Sequence, residues 1–243
     1  MRVVDVYSHK GGEAFIRQRH GAELAEVYKA VEATSAAACL RKLSKEKTKP
    51  PLIFHPESLN LAIKSYLTKL GWTEPAPKSK KGFREPRINL GQREFREMDG
   101  IKNKVGLEVQ FGKYAFMGYD IFSKMPIFAN RGLIECGIEI VAIQSMLRDM
   151  STGVSSFSQI VMDMGARGEA DVDIPTLILG IGPTDREQRA CARKRRRFAD
   201  ATERERMLQA GEIARGRQGA LPGPKGAAGL YTEPLRRTRK RVR

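Results

Sequence analysis

Asp99, Glu108 and Gln110 form a D-x8-E-x-Q pattern, and the last two stand among Gly106, Leu107, Val109 and Phe111. Leu107, Val109 and Phe111 alternate with Glu108 and Gln110, the period of two that marks a half-buried strand. Such a strand turns its apolar side inward and presents Glu108 and Gln110 together on the other face. A carboxylate and an amide fixed side by side, with a second carboxylate just upstream, suit a hydrolytic Mg2+ site. A hard cation takes rigidly held carboxylate oxygens and keeps open positions for water and a phosphate. The spacing alone is loose, and a polar strand face carrying one ordinary glutamate satisfies it too.

The elements around this strand read as an α/β chain. Residues 3–7 form a short strand broken by Gly11 and Gly12. Over residues 13–43 the pattern turns helical, with Phe15, Ile16, Leu24, Val27, Tyr28 and Val31 at three- and four-residue steps. Residues 34–49 pass from small residues into a basic polar loop. A solvated surface loop is the plain reading of such a run; on a nucleic-acid binder, Lys45 and Lys47 stand where they could meet phosphate or a groove. Residues 57–71 form a helix with an apolar stripe of Leu59, Ile63, Tyr66, Leu67 and Leu70, stopped by Gly71. Glu57 and Asn60 near its start could support a metal site, although polar residues there are usually caps. Residues 75–87 hold three prolines and five basic residues and read as a flexible loop.

Residues 88–99 are polar and partly strand, and Asp99 with Gly100 opens a strand pair. Residues 114–124 read as a helix burying Met117, Ile121 and Phe122; Asp120 on it is a further carboxylate, given a structural or rim role. Residues 133–143, rich in Ile and Val, form a central strand, 144–150 a helix, 151–158 a hydroxyl-rich loop, and 174–181 an apolar strand between prolines. The alternation predicts a mixed sheet with helices on both faces.

The formal net charge is +16 over 243 residues, which points to a polyanionic partner; a ribosomal-type binder is the commoner basic rival. Residues 184–243 hold eighteen Lys and Arg against seven acids and so carry +11 of that charge. Helix formers run to about Gly211, followed by a Gly/Pro/Ala-rich stretch and a basic end. This composition predicts a tail that buries no core and is partly helical and partly disordered. Cys39, Cys136 and Cys191 lack zinc spacing and fit a reducing cytoplasm. His9, His20 and His55 are scattered and read as structural or surface residues. The chain opens on a strand rather than a signal sequence, and no apolar run approaches the roughly 18 residues of a membrane span, so a cytoplasmic location is expected.

Residues 108–122 resemble the catalytic strand and following helix of the BglII/BstYI-type type II restriction endonucleases. Residues 1–9, 38–49 with 52–60, and 150–155 resemble the same family, its BstYI side most, in the same order. The resemblance spans residues 1 to about 183. It implies a PD-(D/E)xK restriction-endonuclease-like core over residues 1–183, a mixed central sheet flanked by helices, with residues 184–243 as a basic C-terminal extension.

The resemblance also implies an activity: Mg2+-dependent hydrolysis of double-stranded DNA by a homodimer at a GATC-centred palindrome, R/GATCY, leaving 5′-GATC overhangs. A cognate methyltransferase would protect the same site. Asp99, Glu108 and the Val109 carbonyl would hold the cation. Gln110 stands where many nucleases carry lysine; a lysine can offset charge, whereas a glutamine only orients water by hydrogen bonds. Lys113, Ser151, Thr152 and Ser155 become candidates for base contacts in the major groove. Three departures stand out: Met98 rather than proline precedes Asp99, Thr152 aligns with a serine, and the segment ahead of Asp99 is shorter and less helical. A nuclease that recognises DNA shape, or a DNA-binding protein without catalysis, remain alternatives; the complete Asp99, Glu108, Gln110 set argues against the second.

Overall fold

The computed structural model describes residues 1–72 and 86–214. Most of the loop expected over 75–87, and the chain from residue 215 onward, lie outside the described residues.

The chain opens with β1 (Arg2–His9), α1 (Gly12–Arg19) and α2 (Gly21–Ala33), followed by β2 (Arg41–Leu43), β3 (Leu52–Phe54) and α3 (Pro56–Lys69). A hairpin of β4 (Arg87–Asn89) and β5 (Phe95–Glu97) leads to β6 (Gly100–Lys102) and β7 (Val105–Gln110). One long helical stretch follows: α4 (Tyr114–Tyr119), a π-helical turn (Asp120–Lys124) and α5 (Met125–Asn130). Then come β8 (Cys136–Ala142), a 3-10 turn (Gln144–Asp149), α6 (Phe157–Arg167), β9 (Thr176–Gly182), α7 (Asp185–Ala199) and α8 (Ala201–Gln209).

Five strands form the central sheet in the order β1-β9-β8-β7-β6. The three inner strands β7, β8 and β9 are parallel, and β1 and β6 close the edges antiparallel. β8 and β9 are buried at every position, as strands covered on both faces must be. One face carries Leu107, Val109, Ile138, Ile140, Leu177 and Leu179, packed with Ile16, Leu24, Val27, Leu59 and Ile63 of the first three helices. The other face meets the second half of the chain through Met117, Ile121, Val141, Ile160, Met164 and Ile178. The mixed sheet flanked by helices is therefore as expected. Gly12 permits a close approach at one corner, since a Cβ there would stand 2.3 Å from the Thr176 carbonyl oxygen.

Four local readings need correction. The helical pattern over residues 13–43 is two helices meeting at His20 and ending at Ala33. Residues 41–43 are strand, because Arg41 pairs with Phe54 on one side and bonds the backbone of Glu212 and Ala214 on the other. The helix expected over 144–150 is a 3-10 turn. The hydroxyl-rich stretch ends in an unanticipated helix, α6, which Ser156 and Gln159 start with a reciprocal capping box.

A further correction concerns the basic tail, whose first part does bury a core. Phe198, Met207 and Ile213 pack on Leu52, and Cys191 joins the main core. Glu187 caps α7, accepts from the Ala36 N–H at 2.7 Å and pairs with the N-terminal ammonium at 3.2 Å. The composition is charged overall, yet among the described residues its larger apolar side chains, Phe198, Met207 and Ile213, fall on the faces turned inward. No helix among the described residues is long and apolar enough to cross a membrane.

Candidate active site

The hairpin of β6 and β7 brings the carboxylates together. Its two-residue turn, Asn103 and Lys104, has φ of 45° and 68°, the left-handed pair that a tight hairpin requires. Gly100 pairs with Leu107, so one further step along the register sets Asp99 opposite Glu108. β6 ends there, and from Glu108 onward that edge of β7 is left to side chains. Asp99 Oδ2 accepts the Val109 N–H at 2.9 Å, and Lys64 of α3 donates to Asp99 Oδ1 at 2.7 Å. The Val109 carbonyl lies on the same edge as its N–H, since both groups of a strand residue point to one side.

Glu108 lies on the opposite face of β7 from the aliphatic core, beside Gln110. Lys124, at the end of the π-helical turn, donates to Glu108 Oε1 at 2.7 Å and pairs with Asp120 Oδ1 at 2.6 Å. Gln110 Nε2 donates to Asp120 Oδ2 at 3.0 Å, and Gln110 Oε1 accepts the Gly112 N–H at 2.7 Å. The four side chains form one chain of contacts, Gln110 to Asp120 to Lys124 to Glu108. Asp120 is therefore part of the cluster rather than at a rim.

Beneath them lies Glu139 of β8, paired in register with Glu108, fully buried, with neither carboxylate oxygen hydrogen-bonded to protein. Burial, reinforced by Asp120 and Glu108, holds its carboxyl well above the usual range. Burial and then Asp99 likewise push Glu108 well up, with Lys124 opposing. Burial raises Asp120 as well, against the pull of Lys124. Burial tends to lower Lys124, but Glu108 and Asp120 outweigh it and raise it.

Local sequence explains the odd helix. Pro126 has no N–H to donate back, and a proline inside a helix disturbs the preceding turn. The chain answers with a wide turn in which the Met125 N–H reaches the Asp120 carbonyl, five residues back. Lys64, Lys124 and Glu139 escaped the sequence reading because each meets the site from a distant element. Pro126 was the one local sign that the helix carries something unusual.

The remaining candidates sit elsewhere. Glu57 is exposed in the first turn of α3; Asn60, one turn on, has a buried Oδ1 without a protein partner, on the helix face that carries Lys64. Among the described residues, the hydrogen bonds and ion pairs of Asp99 and Glu108 go to Lys64, Val109 and Lys124 rather than to Glu57 or Asn60. Lys113 is exposed and bridges Val154 through the backbone, so the loop after β7 and the hydroxyl-rich loop are neighbours. Thr152 is exposed and Ser151 half-buried, whereas Ser155 is fully buried with its hydroxyl unpartnered, out of reach of a base in this conformation. Lys45 and Lys47 are exposed on the loop between β2 and β3, and Glu46 between them accepts the Thr152 N–H at 3.0 Å and its hydroxyl. That contact joins the basic loop to the hydroxyl-rich one.

Among the described residues no group of three or more His, Cys, Asp and Glu is arranged to hold a metal. The donor set here is smaller and all oxygen: Asp99, Glu108 and one peptide carbonyl. It fits a single hard divalent cation that keeps most of its waters, and each carboxylate already holds an ammonium.

The family model described as restriction endonuclease BglII/BglIII matches residues 4–181. Among solved structures, the chain is similar to restriction endonuclease BglII complexed with a DNA 16-mer, at 18% identity and a TM-score of 0.57, over 76% of this chain and 80% of that one. It is also similar to free BglII, at 18% identity and a TM-score of 0.52, over 76% and 81%. No curated protein matches.

Proposed function

The chain belongs to the BglII/BglIII family of type II restriction endonucleases, enzymes that hydrolyse DNA, and from that premise we propose the particulars of its reaction. It cuts double-stranded DNA at a GATC-centred palindrome, R/GATCY, with Mg2+, leaving 5′-GATC overhangs. The observation that carries this reading is the hairpin edge, where Asp99 is fastened to the backbone between Glu108 and Gln110.

Asp99, Glu108 and the Val109 carbonyl would hold the cation. Bound there, Mg2+ would neutralise charge growing on the phosphate and make a water acidic enough to attack. The protein's own part is positioning. Lys64 and the Val109 N–H fix both oxygens of Asp99, and Lys124 fixes one oxygen of Glu108. Gln110, anchored by Gly112, keeps one amide hydrogen beyond its bond to Asp120 for orienting a water.

Recognition is assigned to Lys113, Ser151 and Thr152 at the surface, with Lys45 and Lys47 on phosphates and Ser155 only after the loop rearranges. Two copies acting on one palindrome account for two-strand cutting, because a two-fold dimer matches a two-fold site. A methyltransferase acting on the same sequence would protect the host.

The test is digestion of unmethylated phage DNA with Mg2+, beside Glu108→Ala, followed by sequencing of the ends. Discrete fragments with 5′-GATC ends, absent with the variant, support the reading and give the outer bases. A smear without common ends, or no cutting, would sink it.

A further inference from the structure

β7 offers no positive charge of its own. Gln110 is neutral and both ends of its amide are engaged, with Asp120 and with Gly112. Around it Asp99, Glu108, Asp120 and Glu139 act on one another electrostatically in a largely buried volume. Lys124 lies among them, its side chain 12% exposed and in contact with both Glu108 and Asp120. The contact is built from two directions. The wide turn carries the helix past Pro126 and closes at Lys124, while Gln110 ties down Asp120, the second anchor of the ammonium.

We propose that Lys124 is a positioning residue for phosphodiester hydrolysis: its ammonium, shared between Glu108 Oε1 and Asp120 Oδ1, fixes the Glu108 carboxylate for a divalent cation and supplies the charge that Gln110 cannot. The proposal rests on the reading of Glu108 as part of the cation site. Lys124 acts through Glu108. An ordinary i,i+4 pair with Asp120 would need no Glu108. The bond that reaches from the helix across to β7 is what assigns it to the site, in the way that outer partners of a metal ligand set its direction.

The experiment uses the full chain and reads two things: Mn2+ binding by electron paramagnetic resonance without DNA, and single-turnover cleavage of the duplex that digestion defines. Lys124→Met keeps the length and removes the charge. The expected result is Mn2+ affinity weakened about 10-fold and cleavage slowed about 100-fold, with DNA affinity in Ca2+ unchanged. Lys124→Arg should recover most of the Mn2+ affinity. Asp120→Asn loosens the second anchor of the ammonium and its bond to Gln110 but leaves the Lys124–Glu108 contact in place, so Mn2+ affinity should fall clearly less than in Lys124→Met.

If Lys124→Met does not fold, the double variant with Asp120→Asn removes a buried carboxylate together with the ammonium and decides the matter on the same two readouts. Parent-like Mn2+ binding and cleavage in whichever of these folds overturns the proposal. So does an Asp120→Asn variant that loses Mn2+ as fully as Lys124→Met, since the pair would then matter only to the fold. Glu108→Ala separates the two readings: if it binds Mn2+ like the parent, the cation site itself is misplaced.

Discussion

Asp173 and Glu108 are both buried carboxylates, and the protein treats them in opposite ways. Asp173, just before β9, accepts hydrogen bonds from Arg167 on both oxygens, at 2.6 and 2.9 Å, from the Ala170 N–H at 2.9 Å, and stands 3.0 Å from His9 Nε2. Burial alone would raise its carboxyl, but these donors, Arg167 foremost, hold it well below the usual range. Glu108 has one lysine and three neighbouring carboxylates, and ends well above. The first arrangement satisfies its charge and ties α6 to β1. The second leaves negative charge under-compensated, which disfavours the empty protein and favours an arriving cation. A buried acid that is fully paired serves the fold, and the one left short of positive charge is where the chemistry is proposed to lie.

The largest effect should come from breaking the unsatisfied side. Glu108→Ala is expected to slow cleavage by at least about a thousandfold, since it removes a proposed cation ligand whose effect would be expressed in the transition state. Single-turnover rates at saturating enzyme measure it, and DNA affinity in Ca2+ should stay near the parent value. Residual cutting within tenfold of the parent would move the chemistry away from β7.

Stability should split the two carboxylates in sign. Asp173→Asn is expected to destabilise by about 2 kcal/mol, because Arg167 and His9 lose a charged partner. Glu108→Gln should stabilise the metal-free protein by about 1 kcal/mol, the usual trade between function and stability. Urea melts at neutral pH read both.

The pH dependence follows the same division. The folded pKa of Asp173 is depressed, so its contribution is present above the unfolded value of about 3.9 and is lost as pH falls below it. The folded pKa of Glu108 is raised, so stability is fullest below about 4.3 and declines as pH rises through the folded value. Asp173→Asn should flatten the acid limb of stability against pH, and Glu108→Gln the decline above it. Shifts of the same sign in both variants would undo the comparison.

How much of this was written locally is uneven. The alternation around Glu108 and the β-branched run of β8 declare strands on their own, and Glu108 and Gln110 of β7 were found that way. Glu139 lies in the same β8 run but disappears among apolar neighbours, because a fully buried strand shows no alternation to make a polar residue conspicuous. Lys64 and Lys124 reach the site from helices 35 and 16 residues away in sequence from their partners, a relation no local pattern encodes. Two signals were legible and went unused. Ser156 and Gln159 spell a capping box ahead of α6, and Pro126 sits inside a helical run. The packing of α7 and α8 was hidden by composition: three apolar residues suffice once they meet Leu52.

Outside the buried centre, charge should act additively and respond to salt. Lys45 and Lys47 are exposed on one loop, so replacing both with alanine should weaken binding to any duplex alike and lower the slope of log affinity against log salt by about 2. The cognate-to-random ratio should hold. A selective loss on cognate DNA would show that the loop reads bases rather than phosphates.

Glu46 gives the smallest and most informative effect. An acid between two lysines on a loop proposed to meet DNA would oppose phosphate binding, and the thing it visibly does is hold the Thr152 N–H and hydroxyl. Those hydrogen bonds also keep its carboxyl below the usual range, so it stays ionised. Glu46→Gln should therefore tighten binding to random duplex about threefold, by removing repulsion. Because Thr152 then loses its restraint, discrimination at the outer base pair should fall by a similar factor. Equilibrium binding in Ca2+, to RGATCY duplexes and to their outer-base variants, measures both. Tighter binding with unchanged discrimination would show that Thr152 is held by its own loop and that Glu46 only tunes charge. Changed discrimination would extend the contrast to the rim: recognition there would rest on a contact that a single neutral substitution can loosen.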